Sequence, residues 1–312
     1  MIKNDLIAIT GPTAGGKTGF AANLAQKIGG EIISADSRQV YREMNLGTGK
    51  DYDDYIVDGV KVPYHLIDIR DPGYKYNLYE FQEDFLKAFQ DIVARNKVPF
   101  LVGGTGMYIE AVVNGYKLVP VPVNDKLRLE LSEKHLPELV RILKEIRPDL
   151  HNSTDTSHKK RTIRAIEIAQ YYLQNNELDA SFPKINTVIL GVKYDRESRR
   201  RRITERLHAR LREGMIEEVE ELLTKVAPED LIFYGLEYKF LTLYLSGELS
   251  KDEMTTKLEI AIHQFAKRQM TWFRKMERAG NKIHWIDGHM PMHEKLARAA
   301  YILKSYDIII DN

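Results

Sequence analysis

The sequence predicts an α/β protein: a parallel sheet flanked by helices, with a helical insertion. Three observations carry this expectation. Strand-sized apolar runs alternate with amphipathic helical stretches through the first third of the chain. A glycine-rich turn joins the first of these runs to the first helix. Strand-like runs then vanish between residues 124 and 184, where charged helical stretches dominate, and return at Thr187. Alternation of this kind builds parallel sheets through right-handed crossovers. The expected division is a core of residues 1–123 and 185–312 around an insertion at 124–184.

Taken in order, Leu6–Thr10 reads as a strand, and Lys17–Ile28 as a helix with Phe20, Leu24 and Ile28 on one face. Gly29 and Gly30 end that helix, and Glu31–Asp36 reads as the second strand. Residues 42–63, rich in Gly, Asp and Lys, read as loop, and His65–Ile69 as a strand. Asn77–Ala94 carries Phe81, Phe85, Ala88, Phe89 and Ile92 at helical spacing. Pro99–Gly103 is a further strand, leading through Gly-Gly-Thr-Gly into a helix near Met107. Helices are expected at Asp125–His135 and Ser157–Gln174, a strand at Thr187–Val192, and two basic helices near 197–224 and 252–278.

The turn after the first strand, Gly11, Pro12, Thr13, Ala14, Gly15, Gly16, Lys17 and Thr18, fits G-x-x-x-x-G-K-[ST]. Glycines let backbone N–H groups turn inward on phosphate oxygens, and the following helix aims its positive end at the same anion. Lys17 reaches the distal phosphate and Thr18 ligates Mg²⁺. The strand before and the helix after make this a P-loop NTPase-like fold that binds a polyphosphate or diphosphate. The loop alone does not define the chemistry.

Asp36 closes the second strand, at the sheet end where ligands bind. Such a carboxylate can hold Mg²⁺ through water, accept a proton from a nucleophile, or cap a helix. Gly103, Gly104 and Gly106 around Thr105 are equally compatible with a simple tight turn. Arg199, Arg202, Arg206 and Arg210 form a strip beside the core stripe Ile203, Leu207, Leu211. They could face phosphates or remain a solvated face. On the last basic helix Leu258, Ile262, Phe265 and Trp272 read as core.

Composition narrows the classes. With 43% hydrophobic and 29% charged residues over 312 positions, a globular enzyme is expected, and a net charge of +1 requires any nucleic-acid surface to be local. No cysteine is present, which excludes disulfides and thiolate chemistry. No apolar run approaches the ~20 residues of a membrane span, and no secretory signal is visible at the start. A cytoplasmic location is expected. The histidines form no metal-binding pair, so no zinc site is assigned.

Ordered blocks across most of the chain resemble the tRNA dimethylallyltransferases (tRNA isopentenyltransferases). They are GPTAGGKT at 11–18, SADSRQVY at 34–41, HLID at 65–68, PFLVGGTGMYI at 99–109, DRESRRRRI at 195–203 and QFAKRQMTWFR at 264–274. The resemblance implies that the P-loop binds the diphosphate of dimethylallyl diphosphate. It also implies that the acceptor is the exocyclic 6-amino group of the adenosine 3′ to the anticodon. It makes Asp36 the general base, and Lys17, Thr18 with Mg²⁺, and Arg202 the groups that neutralise the leaving diphosphate. Ser37, Arg38, Gln39 and Thr105 then meet the flipped-out adenosine and its neighbours, with Arg128, Lys160, Arg161 and Arg164 of the insertion on the tRNA. The expected partners are the anticodon stem-loop and dimethylallyl diphosphate, with the protein a monomer.

Three blocks depart from the family pattern: Gly47–Asp51, Gly235–Tyr238 and Ile262-His263. The expectation at 263 is that a lost charge weakens RNA contacts. Other readings remain open: transfer to free AMP, ADP or ATP, a small-molecule kinase with Asp36 as base or metal ligand, and a non-catalytic RNA-binding relative.

Overall fold

The computed structural model describes residues 6–148, 156–175 and 181–308. Six parallel strands form one sheet in the order β5-β2-β6-β1-β7-β8. They are β1 (Leu6–Thr10), β2 (Gly30–Ser34), β5 (Tyr64–His65), β6 (Val98–Gly103), β7 (Thr187–Lys193) and β8 (Ile283–Asp287). The short strands β3 (Ile56–Val57) and β4 (Val60–Lys61) pair separately as a hairpin. Every residue of β1 is buried, because β6 and β7 flank it and helices cover the sheet; this is why the strand reads as an unbroken apolar run.

Helix α1 (Lys17–Ile28) follows β1, α2 (Leu78–Ala94) precedes β6 and α3 (Gly106–Val113) follows it. Phe20 and Leu24 of α1 pack with Ile7, Ile9, Phe100 and Leu190 of the sheet. Asn77 starts α2 through a capping box with Glu80. The insertion contributes α4 (Asp125–Ser132), α5 (Leu136–Ile146) and α6 (Lys159–Gln174). After β7 come α7 (Arg196–Arg212), α8 (Met215–Leu223), α9 (Pro228–Phe233), α10 (Leu236–Leu245) and the long α11 (Lys251–Arg278). Helix α12 (Met292–Lys304) lies against α1 and adds Ile302 and Leu303 to the same core.

The chain divides into two compact units, Met1–Tyr116 with Pro183–Asn312, and Lys117–Phe182. The second unit therefore begins before position 124 and ends before 184. Its entry segment is tied to its own helices: Tyr172 donates to the Lys117 carbonyl and Arg164 to that of Val121. Two other expectations differ from the fold. The strand at 65–69 stops at His65, because Leu66 and Asp68 take left-handed φ of 62° and 56°. Asp68 thereby reaches the Lys50 ammonium and the Tyr52 hydroxyl. The basic helix near 197–224 is broken at Gly214, whose φ is 103°. The edge strand β8 and helix α12 add to the elements read from the sequence, and Leu296, Ala299, Ile302 and Leu303 of α12 recur at helical spacing.

Within the insertion, Leu131, Leu139, Leu143, Ile163 and Ile166 form the core. Glu167, only 2% exposed, receives Arg128 Nε at 3.0 Å, Arg128 Nη2 at 2.8 Å, the Asn124 N–H at 2.6 Å and the Arg164 guanidinium. Burial alone would push this carboxyl up, but the two arginines and the N–H hold it below the usual range. Glu167→Ala should cost the insertion about 2–3 kcal/mol, since it strands two cations and an N–H. Hydrogen exchange should show lost protection in α4 and α6 with the sheet unchanged. Unaltered protection in those helices would contradict the role given to Glu167.

Candidate active site

The P-loop wraps from β1 into α1. Gly11 has φ 151°, and a Cβ there would stand 2.3 Å from the Val192 carbonyl oxygen, so β7 itself excludes any other residue. Gly16, at φ 66°, turns the chain into α1. The Lys17 ammonium donates to the Pro12 carbonyl at 2.9 Å. Burial brings it down to about 8, Arg206 acts in the same direction and Asp36 opposes.

A cavity of about 620 Å³ opens over this loop and the C-terminal ends of β2 and β6. Lys17, Thr18, Asp36, Ser37, Arg38, Gln39 and Thr105 all line it. Asp36 lies just past β2, in turns that start no helix, and its Oδ1 accepts the Arg38 N–H at 2.9 Å. Its carboxylate therefore closes an Asx turn and caps no helix. Thr105 Oγ1 accepts the Ser37 N–H at 3.1 Å, which joins the glycine turn after β6 to the Asp36 loop.

The arginine strip of α7 divides. Arg202 donates through Nε to the Ala14 carbonyl at 3.0 Å, and its guanidinium stands 4.5 Å from the Tyr194 ring centroid. It braces the P-loop, whose Ala14 holds a left-handed φ of 57°, and is not among the residues lining the cavity. One turn on, Arg206 lines the cavity and donates to Thr13 Oγ1 at 2.5 Å. Burial lowers it to about 10, so it remains a cation at neutral pH. Arg210 also lines the cavity, held by Asp51 at 2.8 Å and by the Leu46 carbonyl.

Two further groups have no mark of their own in the sequence. Gln269 of α11 accepts the Thr13 N–H and donates to the Gly104 carbonyl, both at 2.9 Å, so one amide ties the P-loop to the glycine turn. Its place within the QFAKRQMTWFR block is the one signal that points to it. Glu218 of α8 accepts the N–H groups of Asn45 at 2.9 Å, Leu46 at 2.7 Å and Gly47 at 3.1 Å, with the Tyr238 hydroxyl at 2.8 Å. It shapes the 45–49 loop, whose Gly49 carbonyl accepts Gln39 Nε2 at 2.9 Å.

Expectations for α11 need correction. Phe265 is 40% exposed, and both it and Trp272 line the cavity instead of sitting in the core. Trp272 packs so closely on Gly106 that a Cβ there would come within 2.4 Å of its ring. His263 packs between α11 and α7, 3.3 Å from both Glu259 and Thr204, with its side chain 8% exposed. It offers no surface to an RNA. In the insertion, Lys160 and Arg161 are exposed, while Arg128 and Arg164 bind Glu167.

A P-loop on the central strand of a parallel sheet, with Lys17, Arg206 and Asp36 lining one cavity, defines an α/β protein of the P-loop class. Comparison with known proteins makes the class specific. The family model described as IPP transferase matches residues 39–276, and that of isopentenyl transferase matches 4–62. The chain is 57% identical over 303 residues to tRNA dimethylallyltransferase 2 of Bacteroides fragilis, covering 97% of this chain and 99% of that one. It is 58% identical over 302 residues to tRNA dimethylallyltransferase 1 of Parabacteroides distasonis, covering 96% and 98%. The crystal structure of the full-length tRNA isopentenylpyrophosphate transferase of Bacillus halodurans superposes with a TM-score of 0.69 at 32% identity, over 97% of each chain. A eukaryotic dimethylallyltransferase acting on tRNA shares the fold, with a TM-score of 0.78 at 23% identity over 98% of this chain and 81% of that one. The chain belongs to the IPP transferase family and is a prenyl-type transferase.

Proposed function

We propose that the chain transfers the dimethylallyl group of dimethylallyl diphosphate to the 6-amino group of the adenosine immediately 3′ to the anticodon of tRNA. The observation that carries this reading is one cavity uniting a P-loop, a carboxylate and an apolar wall of Phe233, Leu236, Phe265 and Trp272. The P-loop N–H groups, Lys17 and Arg206 bind the diphosphate and neutralise charge as the allylic C–O bond breaks. Arg202 acts through the loop that it braces. The adenine nitrogen forms the new C–N bond, and one of its protons passes to Asp36, leaving alkylated adenosine and diphosphate. The apolar wall keeps water from the electron-poor allylic carbon.

The residues fit Mg²⁺. Thr18 lines the cavity with Asp36 and Asp54, giving a hydroxyl and two carboxylates, hard oxygens that leave other positions to phosphate and water. Such an ion would be bound together with the substrate phosphates. Thr18 would hold the ion directly, with a carboxylate acting through water, and the ion would supply charge neutralisation on the diphosphate.

Reaching the amine requires the base to leave its stack. Ser37, Arg38, Gln39 and Thr105, which line the cavity, are proposed to meet it, and Lys160 and Arg161, which are exposed, to meet backbone phosphates. Among the described residues no helix is long and apolar enough to cross a membrane. We take the chain to act as a monomer in the cytoplasm, where its tRNA substrate is found.

The test is incubation of the purified protein with unmodified tRNA, dimethylallyl diphosphate and Mg²⁺, followed by nucleoside mass spectrometry. A dimethylallyl adenosine that depends on the donor, at the position 3′ to the anticodon, is expected. Donor consumption with free AMP but no tRNA product would overturn the reading in favour of nucleotide prenylation.

A further inference from the structure

Asp36, Asp51, Asp54 and Glu237 all line the cavity, and of these four carboxyl groups Glu237 alone is neither used by the mechanism above nor paired with a cation. Gly235, at φ 144°, opens α10 and places Glu237 in its first turn. The point where a Gly235 Cβ would lie is 3.8 Å from both Glu237 Oε2 and Arg38 Nε. The carboxyl and the Arg38 side chain thus flank Gly235 at the same wall of the cavity. Arg206 and Arg210 are its nearest cations on α7, but they donate to Thr13, Asp51 and the Leu46 carbonyl instead. Among the described residues, the hydrogen bond identified at Glu237 is from its own backbone N–H. The carboxyl is half-buried and lines the cavity, so its polar atoms are open to a ligand that enters there.

The acceptor amine supplies the matching chemistry. It carries two N–H groups, and transfer removes only one of them. The retained N–H needs an acceptor, and the neighbouring N1 of adenine is itself an acceptor that needs a donor. We propose that Glu237 orients the acceptor adenine by pairing with N1 and with the retained N–H of the 6-amino group, while Asp36 takes the departing proton. A carboxylic acid presents one O–H donor beside one carbonyl acceptor, which is the complement of that edge. Burial favours the un-ionised form by pushing this carboxyl upward; Asp36 acts in the same direction, and Arg206 and Arg210 oppose. The assignment rests on adenosine being the acceptor.

The experiment uses anticodon stem-loop RNA carrying either adenosine or 1-deazaadenosine, which lacks the N1 acceptor, at the modified position. Wild type should lose about 10- to 100-fold in kcat/KM on the deaza acceptor. Glu237→Ala should show a loss of similar size on adenosine and little further loss on the deaza base. Glu237→Gln, whose amide keeps one donor and one acceptor, should stay within several-fold of wild type. Binding of inorganic diphosphate by both variants should match wild type, which confirms a folded P-loop. A deaza penalty of the same size in wild type and Glu237→Ala would overturn the assignment, as would full activity of Glu237→Ala on adenosine. Absence of transfer by wild type to any RNA would overturn the functional reading itself, and the assignment with it.

Discussion

Asp36→Asn should lower the single-turnover rate of prenyl transfer about 10²- to 10⁴-fold, the range that a positioned general base contributes. An amide keeps an Oδ1 that can accept the Arg38 N–H, so the turn after β2 should survive. It cannot take up the proton that leaves the amine. The adenine 6-amino lone pair is delocalised into the ring, so attack without concerted proton loss is slow. Binding of dimethylallyl diphosphate and of tRNA should change by no more than a few-fold, because the P-loop, Arg206 and the insertion are untouched. Rapid-quench measurement at saturating substrates separates these quantities. A single-turnover rate equal to wild type would remove Asp36 from the chemical step.

Lys17→Met should lose about 100-fold in affinity for inorganic diphosphate and yet melt at a higher temperature than wild type. Both effects have one cause. In the folded chain Lys17 titrates near 8, against 10.5 for its ordinary value, with burial as the main reason. Below pH 8 the folded protein bears the full cost of a buried ammonium. Between 8 and 10.5 the folded lysine is neutral while the unfolded one still holds its proton, so the cost fades as pH rises. Removing the charge should therefore stabilise the protein by about 2 kcal/mol at pH 7 and by progressively less toward pH 10. The sign for ligand binding is opposite. Of the two forms of Lys17 only the ammonium attracts diphosphate, so wild-type affinity should fall as pH rises through 8. The variant should lack that component. Calorimetric titration and thermal melts across pH 6 to 10 measure both; a variant that binds diphosphate normally, or melts lower at pH 7, would refute the account.

Lys17 and Asp36 are legible in the sequence because contiguous segments set their chemistry. A strand, a G-x-x-x-x-G-K-[ST] turn and a helix place Lys17 and Thr18 by local geometry alone. Asp36 is placed by ending the next strand of a parallel sheet, whose C-terminal edge is where ligands gather. The helical spacing of α2 and the apolar face of α1 are readable for the same reason. Glu167 illustrates the limit. Its partners Arg128 and Arg164 read in the sequence as an RNA surface, and only the tertiary structure shows that these arginines, each still 38% exposed, also meet around one buried carboxylate.

The sequence by itself determined the P-loop, the parallel sheet, the existence of an insertion, and the pairing of a phosphate site with a carboxylate. Tertiary structure alone decided that Arg206 lines the cavity while Arg202 braces the loop, since both occupy one strip and the rotation of α7 is set by how Ile203 and Leu207 pack. It likewise decided that Gln269 ties Thr13 to Gly104, and that Glu218 gathers the 45–47 backbone. It also placed Glu237 in the wall of the cavity that holds Asp36. The reason is physical: a pattern within one helix or strand constrains which side chains share a face, whereas the partner opposite that face comes from a distant segment through packing of the whole core.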